Sequence, residues 1–158
     1  MKLGVLAVGR LKAGPERDLV ERYGSRVEAL AKPLGLTFAM REVTESRARQ
    51  PAARINEEAA ALLDRVGKGL FVAFDAGGAS LDSATFARRI AAWRNGGSNE
   101  LHCVIGGPDG LSAKVLDQAA LKLSFGAMTL PHQLVRILVV EQLYRAMTIL
   151  SGHPSHRA

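Results

Sequence analysis

Hydrophobic positions fall along this chain in short blocks separated by polar, glycine-containing breaks. The first block, Leu3 to Val8, is an uninterrupted apolar run and reads as a buried strand. After Gly14, Pro15 stands where the first turn of a helix tolerates it. Leu19, Tyr23, Val27 and Leu30 then recur at helical spacing with charges between them, and Pro33 and Gly35 end that helix. Leu36 to Val43 reads as a second strand with Leu36, Phe38 and Met40 on one face. Thr44 to Arg54 is polar and rich in arginine and reads as a mobile loop. Ile55, Ala59, Leu62 or Leu63, and Val66 mark a second helix, closed by Gly67-Lys68-Gly69.

Leu70 to Phe74 is apolar throughout, which suits a strand covered on both faces, and Gly77-Gly78 reads as the turn that follows. Asp82 is placed to cap a helix carrying Phe86, Ile90 and Trp93, which Asn95-Gly96-Gly97 ends. Leu101 to Ile105 is a fourth strand that runs into Gly106-Gly107-Pro108-Asp109-Gly110. A short helix with Val115, Leu116 and Ala119 precedes a fifth strand, Leu121 to Phe125. Pro131 opens a last helix, about His132 to Leu150, that is apolar around most of its circumference. A helix of that kind is buried. At the end of a small domain this points to a second subunit, a homodimer, with a central helix inside one subunit as the plainer reading. Strands alternating with helices predict an α/β fold with a mostly parallel sheet flanked by helices.

The 158 residues fit one domain, 1–158, large enough to bury a core without disulfides or metal. The net charge of +6 is uneven, because residues 1–54 hold eleven basic and six acidic side chains. That imbalance points to a polyanionic partner, most often nucleic acid; a solvated basic surface is the alternative. One cysteine, Cys103, cannot build a disulfide framework. With neither a signal peptide nor a membrane span in view, the expectation is a cytoplasmic protein with no membrane partner.

In open α/β sheets ligands bind beyond the carboxyl ends of the strands. Three loops expected there are unusual: Asp75 to Gly78, Gly106 to Gly110, and Phe125 to Pro131. Glycine permits close backbone approach, so these loops suit an adenine or a carboxylate, or they are simply tight turns. No Gly-x-Gly-x-x-Gly, P-loop or nucleophile elbow is present. His153 and His156 have a spacing compatible with a metal but lack companion ligands, so no metal is expected. Glu141 and Arg145 form an i, i+4 pair and, with Arg136, are the few polar groups of the last helix.

Longer motifs add a resemblance. Val104-Ile105-Gly106-Gly107-Pro108-Asp109-Gly110-Leu111, Leu123-Ser124-Phe125 and Met128-Thr129-Leu130-Pro131-His132-Gln133-Leu134-Val135-Arg136 are followed by Glu141-Gln142-Leu143-Tyr144-Arg145-Ala146 and His153-Pro154-Ser155-His156-Arg157. With the opening Lys2-Leu3 and Ala7-Val8-Gly9, the whole chain resembles the RlmH family of SPOUT-class methyltransferases. The resemblance implies a C-terminal trefoil knot, with the knotted cofactor-binding region at about 101–158, and a homodimer. It implies transfer of the S-adenosyl-L-methionine methyl to N3 of a pseudouridine in 23S rRNA of assembled ribosomes. By motif, Phe74, Gly106, Gly107, Phe125, Gly126, Ala127, Met128, Thr129 and Leu130 are the implied cofactor contacts. His153, His156 and Arg157 are the implied catalytic tail. The family's tail reads His-Pro-Tyr-His-Arg, and Ser155 replaces the tyrosine here. A serine cannot stack on a base, so one competing expectation is a non-catalytic ribosome- or RNA-binding protein, and a small-molecule α/β enzyme is another.

Overall fold

The computed structural model describes residues 1–152. Five parallel strands form one sheet: β1 (Lys2–Val8), β2 (Thr37–Val43), β3 (Leu70–Ala79), β4 (Glu100–Ile105) and β5 (Leu121–Leu123). Their spatial order is β2-β1-β4-β3-β5. The helices are α1 (Pro15–Ala31), α2 (Pro51–Val66), α3 (Ser83–Asn95), α4 (Ala113–Gln118) and α5 (His132–Ser151). The α/β architecture expected from the alternating blocks is the one observed.

Side-chain alternation along the strands divides the core in two. Leu3, Val5 and Ala7 of β1 face one side with Leu101, Cys103 and Ile105 of β4, and α1, α3 and α5 cover them. Leu6 and Val8 face the other side with Val104, Phe71 and Ala73, beneath α2 and α4. Both faces of the carboxyl halves of the central strands are therefore dry, which is why those stretches read as apolar runs without alternation. The edge strand β2 is mostly exposed, and Met40, placed on the same face as Leu36 and Phe38, is 39% exposed.

Three boundaries differ from the sequence expectation for physical reasons. Helix α2 begins at Pro51, not near Ile55, because proline at the first helical position loses no needed donor. Arg54 is therefore helical rather than part of a mobile loop. The pair Gly77-Gly78 does not turn the chain: β3 runs on to Ala79, with a register break against β5 between Phe74 and Ala79. A Cβ on Gly78 would lie 2.7 Å from the backbone of β5, so glycine is what lets the two strands touch. Strand β5 also ends at Leu123, short of Phe125.

Helix α5 runs between α1 and α3 against the sheet, and Val139, Val140, Leu143, Ala146 and Met147 are fully buried. Its central turns thus find their cover within one chain, without a second subunit. Leu134 and Leu138, nearer its start, remain 44% and 36% exposed. Asp82 caps α3 as expected, accepting from the Thr85 N–H at 2.7 Å. Replacing Leu143 by alanine opens a cavity that the surrounding helices cannot close. A loss of about 2–5 kcal/mol is expected in denaturant unfolding.

Candidate functional site

The carboxyl ends of the strands carry the loops of interest. Beyond β5, residues 124–131 form an irregular segment that leads straight into α5. Ser124 holds its first turn: its hydroxyl lies 3.1 Å from the Ala76 carbonyl and 3.0 Å from the Gly126 carbonyl, and it accepts from the Gly126 N–H. The extension of β3 is thereby tied to the loop after β5. Phe125 then lies 5.4 Å, centroid to centroid, from Phe74, with the rings 18° from parallel. The two rings form one wall of a cavity of about 170 Å³, completed by Asp75, Leu123, Met128, Thr129, Leu130 and Val135.

This cavity gathers most of the residues expected to meet a cofactor. Phe74, Phe125, Gly126, Met128, Thr129 and Leu130 line it directly. Asp75 and Ala76, from the expected ligand loop after β3, also line it, whereas Leu123 and Val135 were not expected there. Gly106 and Gly107 do not line it, nor does Ala127. The two glycines are buried in their own turn: a Cβ on Gly106 would meet Gly110 at 2.8 Å, and one on Gly107 would meet Val8 at 3.0 Å. Close packing of the turn is therefore sufficient reason for both. The expected catalytic residues His153, His156 and Arg157 lie outside the described residues, as does Ser155.

A polar frame surrounds the same end of the sheet. Arg54 grips Asp109 in the Gly106–Gly110 turn through two bonds, Nε to Oδ2 at 2.7 Å and Nη2 to Oδ1 at 3.1 Å. Its Nη1 donates to the carbonyls of Ala48 and Arg49, both at 3.0 Å. One side chain thus joins the arginine-rich segment to the glycine turn, and its hydrogen bond holds the Asp109 carboxyl below the usual range. Glu58, one turn further along α2, is buried at 3% exposure. Its Oε2 accepts from the Ser46 N–H at 2.9 Å, while Oε1 has no partner. Burial raises its pKa, and the nearby Glu45 and Asp109 add to the effect.

Arg136 fixes the first turn of α5. It reaches Glu42 of β2 at 2.5 Å and donates to the carbonyls of Gly9 at 3.0 Å and Val8 at 3.4 Å. Glu42 also accepts from the Leu11 N–H at 2.7 Å. Partial burial opposes its charge, but the Leu11 amide and Arg136 outweigh that and lower its pKa. The i, i+4 pair Glu141–Arg145 forms at 2.5 Å, whereas Arg136 is buried. Cys103 is buried mid-strand and its thiol is pushed up to about 12, so it is inert core.

Comparison with known proteins places this arrangement. Residues 1–156 match the family model described as "Predicted SPOUT methyltransferase". Ribosomal RNA large subunit methyltransferase H of Methylobacterium nodulans is 54% identical over 99% of this chain and 98% of its own length. The protein of that name from Rhodopseudomonas palustris strain BisB18 is 51% identical over the full length of both. The chain belongs to the RlmH family of SPOUT methyltransferases. Solved structures agree in fold. A probable methylase family protein from Haemophilus influenzae Rd KW20 superposes with a TM-score of 0.52 over 99% of this chain and 70% of that one, at 14% identity. A probable methyltransferase from Bordetella pertussis Tohama I gives 0.50 over 92% and 95%, also at 14% identity. The family resemblance seen in the glycine turn and in the Leu123 to Arg136 motif therefore extends along the whole chain.

Glu58 makes the frame sensitive to pH. Its folded pKa lies above the unfolded value, so the folded chain binds its proton more tightly. That contribution to stability is present below the ordinary glutamate pKa and is lost as pH rises through the raised one. Glu58→Gln is expected to remove this slope and to match or exceed the parent at pH 7. Melting temperatures of both proteins between pH 4 and 8 check it.

Proposed function

We propose that this chain is an S-adenosyl-L-methionine-dependent methyltransferase of the large ribosomal subunit that modifies N3 of a pseudouridine in 23S rRNA within assembled ribosomes. The observation that carries the proposal is the aromatic-walled cavity built by Phe74 and Phe125 at the strand ends, in a chain half identical end to end to ribosomal RNA methyltransferases.

The cavity fits the cofactor's chemistry. Phenylalanine faces and aliphatic walls accept an adenine, and the loop backbone between Ser124 and Leu130 offers amides and carbonyls to its polar edge. The Asp75 carboxylate at the rim suits a hydroxyl or an amine. When bound, the cofactor supplies an electrophilic methyl on a sulfonium, which is already a good leaving group. The chain must then bring N3 into line with that methyl and accept the N3 proton. We assign proton handling and substrate contact to His153, His156 and Arg157, and backbone contact with the cofactor to Gly106, Gly107 and Ala127. The open cleft at the ends of β1 and β2, lined by Arg10, Lys12 and Arg47, is the phosphate-holding surface near the reaction.

The exposed Leu134 and Leu138, with Phe125 at 37% and Met128 at 85%, form an apolar surface beside the cavity. We assign it to a homodimer interface that completes the cofactor site. Among the described residues no helix is long and apolar enough to cross a membrane, and a ribosomal substrate places the protein in the cytoplasm. The threading of the chain as a trefoil knot over about 101–158 belongs to the same proposal.

Labelled methyl transfer from S-adenosyl-L-methionine to ribosomes lacking the mark tests this reading, with naked rRNA alongside. Label mapped to N3 of the pseudouridine on ribosomes is expected. Binding of ribosomes without any transfer would instead support a silent binder, the reading that Ser155 raises. Phe125→Ala is expected to weaken cofactor binding about tenfold or more, measured by calorimetry. Deleting residues 153–158 is expected to abolish transfer and leave cofactor binding largely intact.

A further inference from the structure

The two faces of the sheet are covered unequally. Three long helices lie on one face, but only α2 and the six-residue α4 lie on the other, and they pack on its carboxyl half. The amino half of that second face is open, and a groove of about 330 Å³ runs across it.

The register of the strands shows what the groove is made of. Three rows cross β2, β1 and β4: Thr37–Lys2–Glu100, Ala39–Gly4–His102 and Arg41–Leu6–Val104. Two members of the middle row, Ala39 and Gly4, are small, and the third, His102, supplies an imidazole to the floor. The His102 ring leans over Gly4, where a Cβ would meet its Nδ1 at 2.9 Å, and its Nε2 lies 3.3 Å from Glu100. Arg41 from β2 and Arg65 from the last turn of α2 stand at the rim with Lys2. Lys2 sits 3.8 Å from Glu100, the groove's only carboxylate. Arg41 and Arg65 have no carboxylate within salt-bridge distance among the described residues, and no hydrogen-bonded side-chain partner.

A half-open groove floored by Ala39, Gly4 and His102, with two unneutralised guanidinium groups from β2 and α2 among its lining, is complementary to an anion. We propose that this groove is a second RNA-binding surface that holds phosphodiester backbone through Arg41 and Arg65, with Thr37 and His102 offering hydrogen bonds to phosphate or a 2′-hydroxyl. It lies at the amino ends of the strands, while the aromatic cavity lies at their carboxyl ends. The RNA it holds is therefore a segment away from the methylated base. It strengthens docking and takes no part in the transfer. This inference rests on the reading of the chain as an rRNA methyltransferase.

The test uses the full-length protein and unmodified ribosomes over a series of potassium chloride concentrations. Arg41→Ala/Arg65→Ala is expected to bind about tenfold or more weakly at the lowest salt, with a log–log salt slope shallower by about one to two. KM for ribosomes should rise in proportion, while kcat at saturating ribosomes and the cofactor Kd stay at the parent values. Arg41→Lys/Arg65→Lys should restore most of the slope. An unchanged slope and KM, or a fall in kcat at constant KM, would overturn the groove. An equal loss in Arg88→Ala/Arg94→Ala, which removes the same charge from α3 across the sheet, would overturn it too. So would saturable binding of inorganic phosphate lost in the double alanine variant without any change in ribosome affinity. A parent protein that neither binds nor methylates ribosomes removes both readings, whereas a parent that does both and a double variant equal to it remove only this one.

Discussion

The guanidinium of Arg136 is the one buried cation among the described residues, and the surrounding structure is arranged to satisfy it. A charge taken out of water must be paired and hydrogen-bonded. Glu42 from β2 and the carbonyls of Val8 and Gly9 at the end of β1 supply those partners, and Nε alone is left without one. The first turn of α5 is thereby anchored to two strands more than ninety residues earlier in the chain. Glu42 is half-exposed, so the pair is not sealed from water; its value lies in fixing position more than in net stability.

That anchor determines where the loop before α5 runs. Residues 124–131 are held at one end by Ser124 against the β3 extension, and at the other by α5 itself. Between these two fixed ends the loop has little choice but to fold over Phe74, and Phe125 closes against that ring. On the other side of the sheet ends, Arg54 ties the arginine-rich segment to the glycine turn, and Glu58 ties the Ser46 amide to α2. The two frames meet across β1 and β4, where the strand order reverses and the chain crosses from one half of the sheet to the other. The aromatic cavity itself lies two strands further on, between β3 and β5, beside the register break of that pair.

Much of this was legible in the residues. Leu70 to Phe74 read as a doubly covered strand because both its faces demand apolar side chains, and Leu101 to Ile105 read as the strand beside it. Asp82 and Pro131 marked helix starts because capping chemistry is local. The loop from Phe125 to Leu130 stood out by its motif, and all of it except Ala127 lines the cavity. Gly77-Gly78 misled, because a glycine pair signals a turn only when nothing else approaches it. Here β5, more than forty residues later, lies against that backbone and makes it a strand. Pro51 carried a usable signal for the true start of α2, and the polar residues around it masked it.

The alternation of strands and helices, the basic bias of the first third and the motif loop before the last helix were all readable in the chain, since each depends on local periodicity, composition or contiguous motif. The tertiary structure decided which polar residues would share a site. Arg136 with Glu42, Arg54 with Asp109, and Arg41 with Arg65 are all pairs distant or unremarkable in the chain. Their meeting depends on strand order and register, and on how far α2 and α4 reach across the sheet. Those are properties of long-range packing that no window of the chain contains.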